Sequence, residues 1–241
     1  MECLYVPELE PNQRVVQLSD PAELRHLRAL RLRTGALVAL SNGRGTLVVG
    51  KLQSHWRQPS QATFRIVGEL DPGELPVRVG VALGVLQEGE RLEFAVEKAV
   101  ELGVREIVLL RTRYAQPQAV RLSRLQAKVL AALKQAQRAW MPELRGPMGL
   151  TECCATVFPA YQCHVVADAL GSVPVLDQIR SVLVLVGPEG GWTVEELQML
   201  QQYGAMVWSL GNRRLRSETA ATVVLSLVGH FLRSSSLAQR A

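Results

Sequence analysis

Short apolar runs separated by turn-forming residues recur through the first seventy positions, a pattern typical of short β-strands. Residues 36–40 and 46–52 flank Asn42-Gly43, a dipeptide that favours the tight turn of a β-hairpin. Residues 62–67 supply a further strand, and residues 21–30 have the spacing of a short helix. Residues 1–70 are therefore predicted to form a small β-rich domain.

The pattern changes after residues 68–76, a stretch rich in glycine and proline that is predicted to link two domains. Apolar residues alternate over 77–85 as in a strand, then recur at helical spacing over 88–102. Further strands are predicted at 107–110, 164–167, 182–186 and 206–210, with a second long helix over 122–136. This order predicts an α/β domain over residues 71–241, with helices on both faces of a mostly parallel sheet.

The composition favours a globular cytoplasmic protein without a membrane partner. Of 241 residues, 48% are hydrophobic and 20% are charged, which is enough to build a sizeable core. The first residues show no basic region followed by an apolar one, and the apolar runs are too short to span a bilayer. The four cysteines form no Cys-x-x-Cys pair, so no metal site is expected; they are Cys3, Cys153, Cys154 and Cys163.

The charge is positive and comes mainly from clustered arginines. The net charge is +5 and the pI is about 9.3. One cluster contains Arg25, Arg28, Arg31 and Arg33, and the other contains Arg213, Arg214 and Arg216. Such clusters are often only solvated surface, but arginine also binds phosphate through two hydrogen bonds and stacks on bases. The clustering favours an RNA partner.

The first candidate site is the glycine-rich segment 186–193, with the sequence VGPEGGWT, at the end of a buried strand. Its three glycines let backbone amides approach a ligand closely, and Thr193 with Glu196 forms a capping box that starts a helix. The alternative is an ordinary tight connection between strand and helix. The segment lacks the glycine order of dinucleotide sites, and no Gly-Lys-Ser/Thr follows, which argues against a metabolic enzyme that uses nucleotide cofactors.

The second candidate site is the segment 209–221, which also leaves a strand and enters a helix. Three arginines beside Glu218 would suit an anionic substrate such as RNA. The alternative is a solvated basic turn in which Ser217 only caps the helix. The helix itself, over 219–232, is apolar almost all round, so it is predicted to be buried, in part against another subunit.

The two segments together resemble the SPOUT methyltransferases. Gly-Pro-Glu-Gly-Gly-Trp-Thr-x-Glu-Glu, followed by Leu-Gly-x-Arg-x-Leu-Arg-x-Glu-Thr-Ala, is most similar to the ribosomal RNA small subunit methyltransferase E family, which makes 3-methyluridine in 16S ribosomal RNA. Residues 26–35, 90–104 and 132–142 resemble further motifs of that family, in the same order. The chain has Asn212, Arg214 and Lys134 where the family usually has proline, an aliphatic residue and glutamate.

This resemblance implies a fold and a cofactor. The implied fold is a small PUA-like β-barrel followed by a sheet domain with a C-terminal trefoil knot. The implied cofactor is S-adenosylmethionine, held among three knot loops at 168–173, 186–191 and 210–216. The expected cofactor-binding residues are Ala169, Leu170, Val186, Gly187, Glu189, Gly190, Gly191, Leu210, Gly211 and Leu215.

The resemblance also implies an RNA substrate, either 16S ribosomal RNA or the assembled small subunit, and a homodimer. The uracil N3 proton must leave before that nitrogen can accept a methyl group. Arg213 or Arg216 would stabilise the uracil anion, and Glu218 either accepts the proton or only pairs with an arginine and shapes the loop. The expected RNA contacts are His26, Arg28, Arg31, Arg33, Lys98 and Arg138, although a lone histidine such as His26 is more often a packing or hydrogen-bonding residue than a catalyst.

Two alternatives stay open at this point. A non-catalytic RNA-binding ribosome assembly factor would also carry basic clusters, but only the enzyme predicts two glycine loops at adjacent strand ends. A SPOUT methyltransferase acting on another RNA nucleotide would share every motif described above.

Overall fold

The computed structural model describes residues 1–54, 61–115, 120–176 and 179–238. The chain forms two compact units. The first unit contains residues 1–74 and 130–141, and the second contains residues 75–129 and 142–241. Residues 130–141, which the sequence analysis assigned to the second domain, therefore pack with the first unit.

The first unit is built on a five-stranded sheet in the order β1-β3-β4-β5-β2. Its elements are β1 (Cys3–Tyr5), β2 (Val15–Leu18), α1 (Pro21–Ala29), β3 (Leu37–Ser41), β4 (Leu47–Ser54) and β5 (Ala62–Glu69). Leu40, Leu52 and Phe64 are fully buried in its core. The predicted strands and the short helix are thus confirmed.

The predicted hairpin is also confirmed, because β3 and β4 pair antiparallel around Asn42-Gly43. The side-chain oxygen of Asn42 accepts hydrogen bonds from the backbone amides of Arg44 (2.8 Å) and Thr46 (3.0 Å), which closes the turn. Gly43 has φ +68°, a conformation that glycine adopts without strain.

The second unit is built on a six-stranded sheet in the order β11-β9-β10-β6-β7-β8, in which every pair of neighbours is parallel. Its strands are β6 (Arg78–Gly84), β7 (Glu106–Arg111), β8 (Glu143–Gly149), β9 (Cys163–Ser172), β10 (Ser181–Val186) and β11 (Met206–Trp208). The remaining helices of the chain are α2 (Gly89–Glu101), α3 (Leu122–Gln135), α4 (Leu150–Thr156), α5 (Val194–Gln202) and α6 (Ser217–Ala238). The predicted α/β class is confirmed.

Strand β6 is buried on both faces, because large residues alternate with glycine or alanine rather than with polar residues. A Cβ atom added at Gly80 would lie 2.3 Å from the hydroxyl oxygen of Tyr161. A Cβ atom added at Gly84 would lie 2.5 Å from Cδ of Pro188, so the glycine-rich loop packs directly on this strand. The small residues of β6 therefore make room for neighbours on one face of the sheet.

Two parts of the sheet differ from the prediction. Strand β8 was not predicted, because Gly146 and Pro147 make its sequence look like a turn; as an edge strand it can accommodate proline. Strand β9 continues to Ser172, so most of the segment predicted as a loop over 168–173 is extended and pairs with β11 at Trp208.

Helix α6 has a buried side and a partly polar outer side. Ala221, Val224 and Val228 are buried, whereas Ser226 and His230 are exposed. The prediction that this helix is apolar almost all round is wrong for its outer side. Within the described ranges, no helix is long and apolar enough to cross a bilayer.

Candidate functional site

A cavity of about 560 Å³ opens at the carboxyl ends of three neighbouring strands, β10, β9 and β11. Parallel strands bring the segments that follow them to one edge of the sheet, which is where open α/β sheets bind ligands. Its walls are formed by residues 167–169, 186–192, 210–211 and 213–217, together with Arg91 and Ala220. The two candidate segments of the sequence analysis thus line one cavity.

The glycine-rich segment forms one wall through its backbone. Gly187 is buried, and a Cβ atom at this position would lie 3.1 Å from the carbonyl carbon of Gly191. Gly191 has φ +72°, in the left-handed region that disfavours side chains. The indole nitrogen of Trp192 donates a hydrogen bond to the carbonyl oxygen of Ala167 (3.3 Å), which joins this loop to β9. The loop is a tight backbone surface.

Three hydrogen bonds hold this loop in position. The predicted capping box is confirmed: the amide of Glu196 donates to the hydroxyl of Thr193 (3.2 Å), and the amide of Thr193 donates to the carboxylate of Glu196 (2.9 Å). The carboxylate of Glu189 accepts a hydrogen bond from the amide of Gln87 (2.9 Å), at the end of β6. The loop is therefore anchored at Glu189, between its glycines, and at Thr193, after them.

The segment after β11 supplies the positive charge of the cavity. The amide of Ser209 donates a hydrogen bond to the carbonyl of Ser172 (2.8 Å), which ties this segment to the end of β9. Arg213, Arg214 and Arg216 line the cavity and are exposed. Among the described residues, no carboxylate lies within 4.0 Å of these guanidinium groups. They are available to an anionic ligand.

The structure brings a further cation to the cavity, Arg91 in the first turn of α2, which was not among the expected site residues. Its side chain lines the cavity and forms an ion pair with Glu88 (2.9 Å), and its Nε atom lies 3.8 Å from Oε1 of Glu218. The only sequence signal for Arg91 was the Arg-hydrophobic-Glu pattern at 91–93. That pattern does not indicate that α2 approaches the segment 209–221, which contains Glu218.

Glu218 does not line the cavity. It is 9% exposed, and its Oε2 atom is buried without a hydrogen-bond partner. Of the two interpretations left open for Glu218, this position favours the one in which it pairs with an arginine and shapes the loop. Arg213 and Arg216 do face the cavity, as expected.

The expected cofactor-binding residues lie on the cavity wall, with the exception of Leu170. Leu170 is 85% exposed because the end of β9 directs it to solvent, so its expected contact does not fit this position. Asp168, Trp192 and Ser217 also line the cavity, although none was expected to bind the cofactor. Among the described residues, no group of three or more metal-ligating side chains is placed to hold a metal ion.

The basic cluster of the first unit lies at the end of α1. Arg28, Arg31 and Arg33 are exposed, and His26 is half-buried in the last turn of the helix. Positive side chains at this end interact favourably with the helix dipole. The cluster is accessible to an anionic partner.

The two other expected RNA contacts are engaged in ion pairs. Lys98 donates hydrogen bonds to Glu101 (2.8 Å) and Glu97 (3.1 Å), which raise the pKa of the Lys98 ammonium. Arg138 is 4% exposed and pairs with Glu74 at 2.6 Å. The expected contact of Arg138 with RNA does not fit this buried position, because moving the guanidinium to the surface would take this cation away from the Glu74 carboxylate.

Comparison with known proteins gives consistent matches. Residues 73–229 match the model of the RNA methyltransferase domain family. A ribosomal RNA small subunit methyltransferase E from Synechocystis is 30% identical over 223 residues, covering 88% of this chain and 72% of that protein. A ribosomal RNA small subunit methyltransferase E from Mycobacterium bovis is 29% identical, covering 94% of this chain and 90% of that protein.

One solved structure matches nearly the whole chain. It is a crystal structure of a ribosomal RNA small subunit methyltransferase E from Neisseria gonorrhoeae bound to S-adenosylmethionine. It is 28% identical, with a TM-score of 0.83, and the match covers 95% of this chain and 97% of that one.

Proposed function

The chain belongs to the ribosomal RNA small subunit methyltransferase E family, and we propose that it transfers the methyl group of S-adenosylmethionine to N3 of a uridine in 16S ribosomal RNA. The observation that carries the proposal is the arginine-rich cavity at the carboxyl ends of β9, β10 and β11. It combines a tight backbone wall, suited to a cofactor, with cations suited to RNA.

The cavity fits S-adenosylmethionine in size and in chemistry. Its volume of about 560 Å³ lies within the usual range for cofactor and small-molecule sites. Gly187, Gly190 and Gly191 would bring backbone groups to the adenosine, while Asp168 and Glu189 on the wall complement positive charge. When bound, the cofactor supplies an activated methyl group on a positively charged sulfur.

Replacing Gly191 by valine is expected to lower the affinity for S-adenosylmethionine at least tenfold. No atom lies within 4 Å of an added Cβ atom, so the effect comes from the strained φ of +72° and the resulting displacement of the loop. Titration calorimetry measures the affinity, and circular dichroism verifies the fold.

Gly204→Val is the matched control. Gly204 has φ +82° and no neighbouring atom, but it follows α5 and does not line the cavity. Both variants should lose about 1–2 kcal/mol of stability from the left-handed backbone. Equal cofactor affinity in the two variants would remove the glycine-rich segment from the cofactor site.

The arginines act on the uracil. The N3 proton leaves to solvent water, which reaches the cavity because Arg213 and Arg216 on its wall are exposed. The negative charge then lies on the carbonyl oxygens of the ring, and the guanidinium groups of Arg213 and Arg216 stabilise it. Arg91 adds a third cation, and its ion pairs with Glu88 and Glu218 hold its guanidinium in position. Glu218 thus acts on the reaction through Arg91 rather than by accepting the proton.

Methylation of the small subunit tests the function directly. A methyl group on N3 removes the hydrogen-bond donor that uracil uses for pairing, so reverse transcription should stop next to one uridine. The stop should require both the protein and S-adenosylmethionine, and nucleoside mass spectrometry should identify 3-methyluridine. A different methylated nucleoside would favour the alternative substrate, and RNA binding without methylation would favour the assembly factor.

We propose that the first unit is a PUA-like domain that docks RNA through the arginines at the end of α1. Replacing Arg31 by asparagine and Arg33 by glutamine in the full chain should reduce the slope of log affinity against log salt by roughly two, one per lost phosphate contact. Asparagine tolerates the φ of +49° at position 31.

Arg180→Gln is the control for this docking surface. Arg180 is exposed just before β10, at the amino edge of the sheet and away from the cavity. Filter binding to 16S ribosomal RNA at several salt concentrations measures both proteins. An unchanged slope in the double variant would place the docking surface elsewhere.

We also propose a homodimer formed through the outer side of α6, where Val223 and Leu227 are half-buried. Light scattering at micromolar concentration should give twice the subunit mass of 26.5 kDa; the subunit mass itself would contradict the proposal.

The position of β9 between β10 and β11 supports a further proposal, that the chain is threaded as a trefoil knot. The protein would work in the cytoplasm, with the ribosome.

A further inference from the structure

A second cavity, of about 460 Å³, opens in the second unit between the start of α2 and the start of α3. Its walls combine apolar side chains with two carboxylates, and they include Val85, Leu86, Leu92, Leu125, Glu90 and Glu93. Arg121 and Arg124 stand at its rim and are exposed. None of these residues lines the proposed S-adenosylmethionine site, called the cofactor cavity below; their neighbour Arg91, which does line that site, does not line this second cavity.

This second cavity lies at the same edge of the sheet as the cofactor cavity. Strand β6 pairs in parallel with β10, with Leu83 opposite Val186, so the segments that follow the two strands are neighbours. The hydrogen bond from the Gln87 amide to Glu189 joins them. The first turn of α2 separates the two cavities, because Arg91 lines one and Leu92 lines the other.

The chemistry of the second cavity suits a nucleobase with its phosphate. The apolar side chains accept the faces of an unstacked base, and a guanidinium plane can stack on the base or bind the phosphate. The buried carboxylate of Glu93, which is 8% exposed, pairs with Arg124 and restricts its guanidinium to the rim. Arg121 adds a second positive charge next to it.

We propose that the second cavity binds an unstacked base of the RNA substrate, adjacent to the uridine whose N3 is methylated. This inference rests on the proposed function for the identity of the target uridine. The target uridine must leave any base pair and its stack before its N3 can reach the cofactor. A neighbouring base held in its own cavity would keep the strand open while the reaction proceeds. The cavity would thereby contribute to the selection of the RNA site.

Gly89→Phe tests the proposal by filling the second cavity. Gly89 lines that cavity at the first position of α2, and no atom lies within 4 Å of an added Cβ atom. Gly149→Phe is the matched control, because Gly149 also has free space around an added Cβ atom and ends β8 at the same edge of the sheet, outside both cavities.

The expected result is a loss of RNA affinity with cofactor binding retained. Gly89→Phe should raise the KM for the small subunit about tenfold or more, as loss of one stacked base does, with S-adenosylmethionine affinity unchanged. Arg121→Glu should raise the same KM without altering the cavity walls. The control should match the wild type in both measurements.

Three outcomes overturn the proposal. One is an unchanged KM in both Gly89→Phe and Arg121→Glu. The second is a changed oligomeric mass of Gly89→Phe, which would mean that a second copy of the chain occupies the cavity. The third is displacement of S-adenosylmethionine by the new side chain, with normal RNA affinity in Arg121→Glu.

A binding assay separates this proposal from the proposed function. A short uridine-containing RNA with 2-aminopurine next to the uridine should show a fluorescence change with the wild type and not with Gly89→Phe. If the wild type methylates no RNA, the proposed function fails, while the fluorescence difference still decides whether the cavity binds a base.

Discussion

Arg216→Ala is expected to lower turnover on the order of a hundredfold, the cost typical of removing one donor that stabilises a developing oxyanion. Arg216 lines the cavity at the end of the second loop, and its backbone carbonyl accepts a hydrogen bond from the amide of Ala220 (2.8 Å). This bond continues into α6, so the backbone that carries the side chain is fixed. Under the proposed function, the guanidinium at the end of this side chain would stabilise the uracil anion.

Arg216→Lys separates charge from shape. Lysine keeps the positive charge but loses the planar fork, so turnover should already fall, by less than in the alanine variant. Single-turnover methylation of the small subunit with radiolabelled S-adenosylmethionine measures the rate, and calorimetry should show that cofactor affinity is nearly unchanged. Arg180→Ala, at the opposite edge of the sheet, is the control. Wild-type turnover in a folded Arg216→Ala protein would exclude this residue from the reaction.

Glu106→Ala is expected to lower the free energy of unfolding by about 1–3 kcal/mol, the cost of leaving a buried hydrogen-bond donor without its acceptor. The carboxylate is 1% exposed. It accepts hydrogen bonds from Tyr161 (2.6 Å), Arg145 (2.8 Å) and Arg78 (2.9 Å). Removing it leaves two guanidinium groups and a phenol without their acceptor. Urea unfolding followed by circular dichroism measures the change, and Arg180→Ala is again the control; a loss below about 1 kcal/mol would mean that the cluster relaxes freely.

The same carboxylate makes stability depend on pH. Burial acts to raise the pKa of Glu106, but the hydrogen bonds from Tyr161 and Arg145 and the charge of Arg78 outweigh it and lower that pKa. The pKa is thus lower in the folded protein than in the unfolded chain, so the stabilisation is complete above the unfolded pKa and is lost as pH falls through the folded pKa. Unfolding free energies of Glu106→Gln should fall less steeply in acid than those of the wild type.

The sequence by itself determined the local elements and the segments that carry the chemistry. The apolar runs of β3 and β4, the turn at Asn42-Gly43 and the capping box at Thr193 depend on residues close together in the chain, and the structure contains all three. The glycine-rich segment 186–193 and the arginine-containing segment 209–221 can likewise be identified from their composition and from the buried strands that precede them. Local rules are sufficient for such features.

The tertiary structure alone decided which distant residues meet. Strand order places β9 between β10 and β11, which brings Asp168 to the cavity. The packing of α2 against α6 brings Arg91 to Glu218, and the parallel register brings Glu106 within reach of residues from three other segments of the chain. No periodicity along the chain encodes these contacts, because each depends on strand order and on helix packing over more than twenty-five residues of separation. The burial of Glu218 and Arg138 could not be predicted for the same reason: a charged residue looks alike in sequence whether it is exposed or paired in the interior.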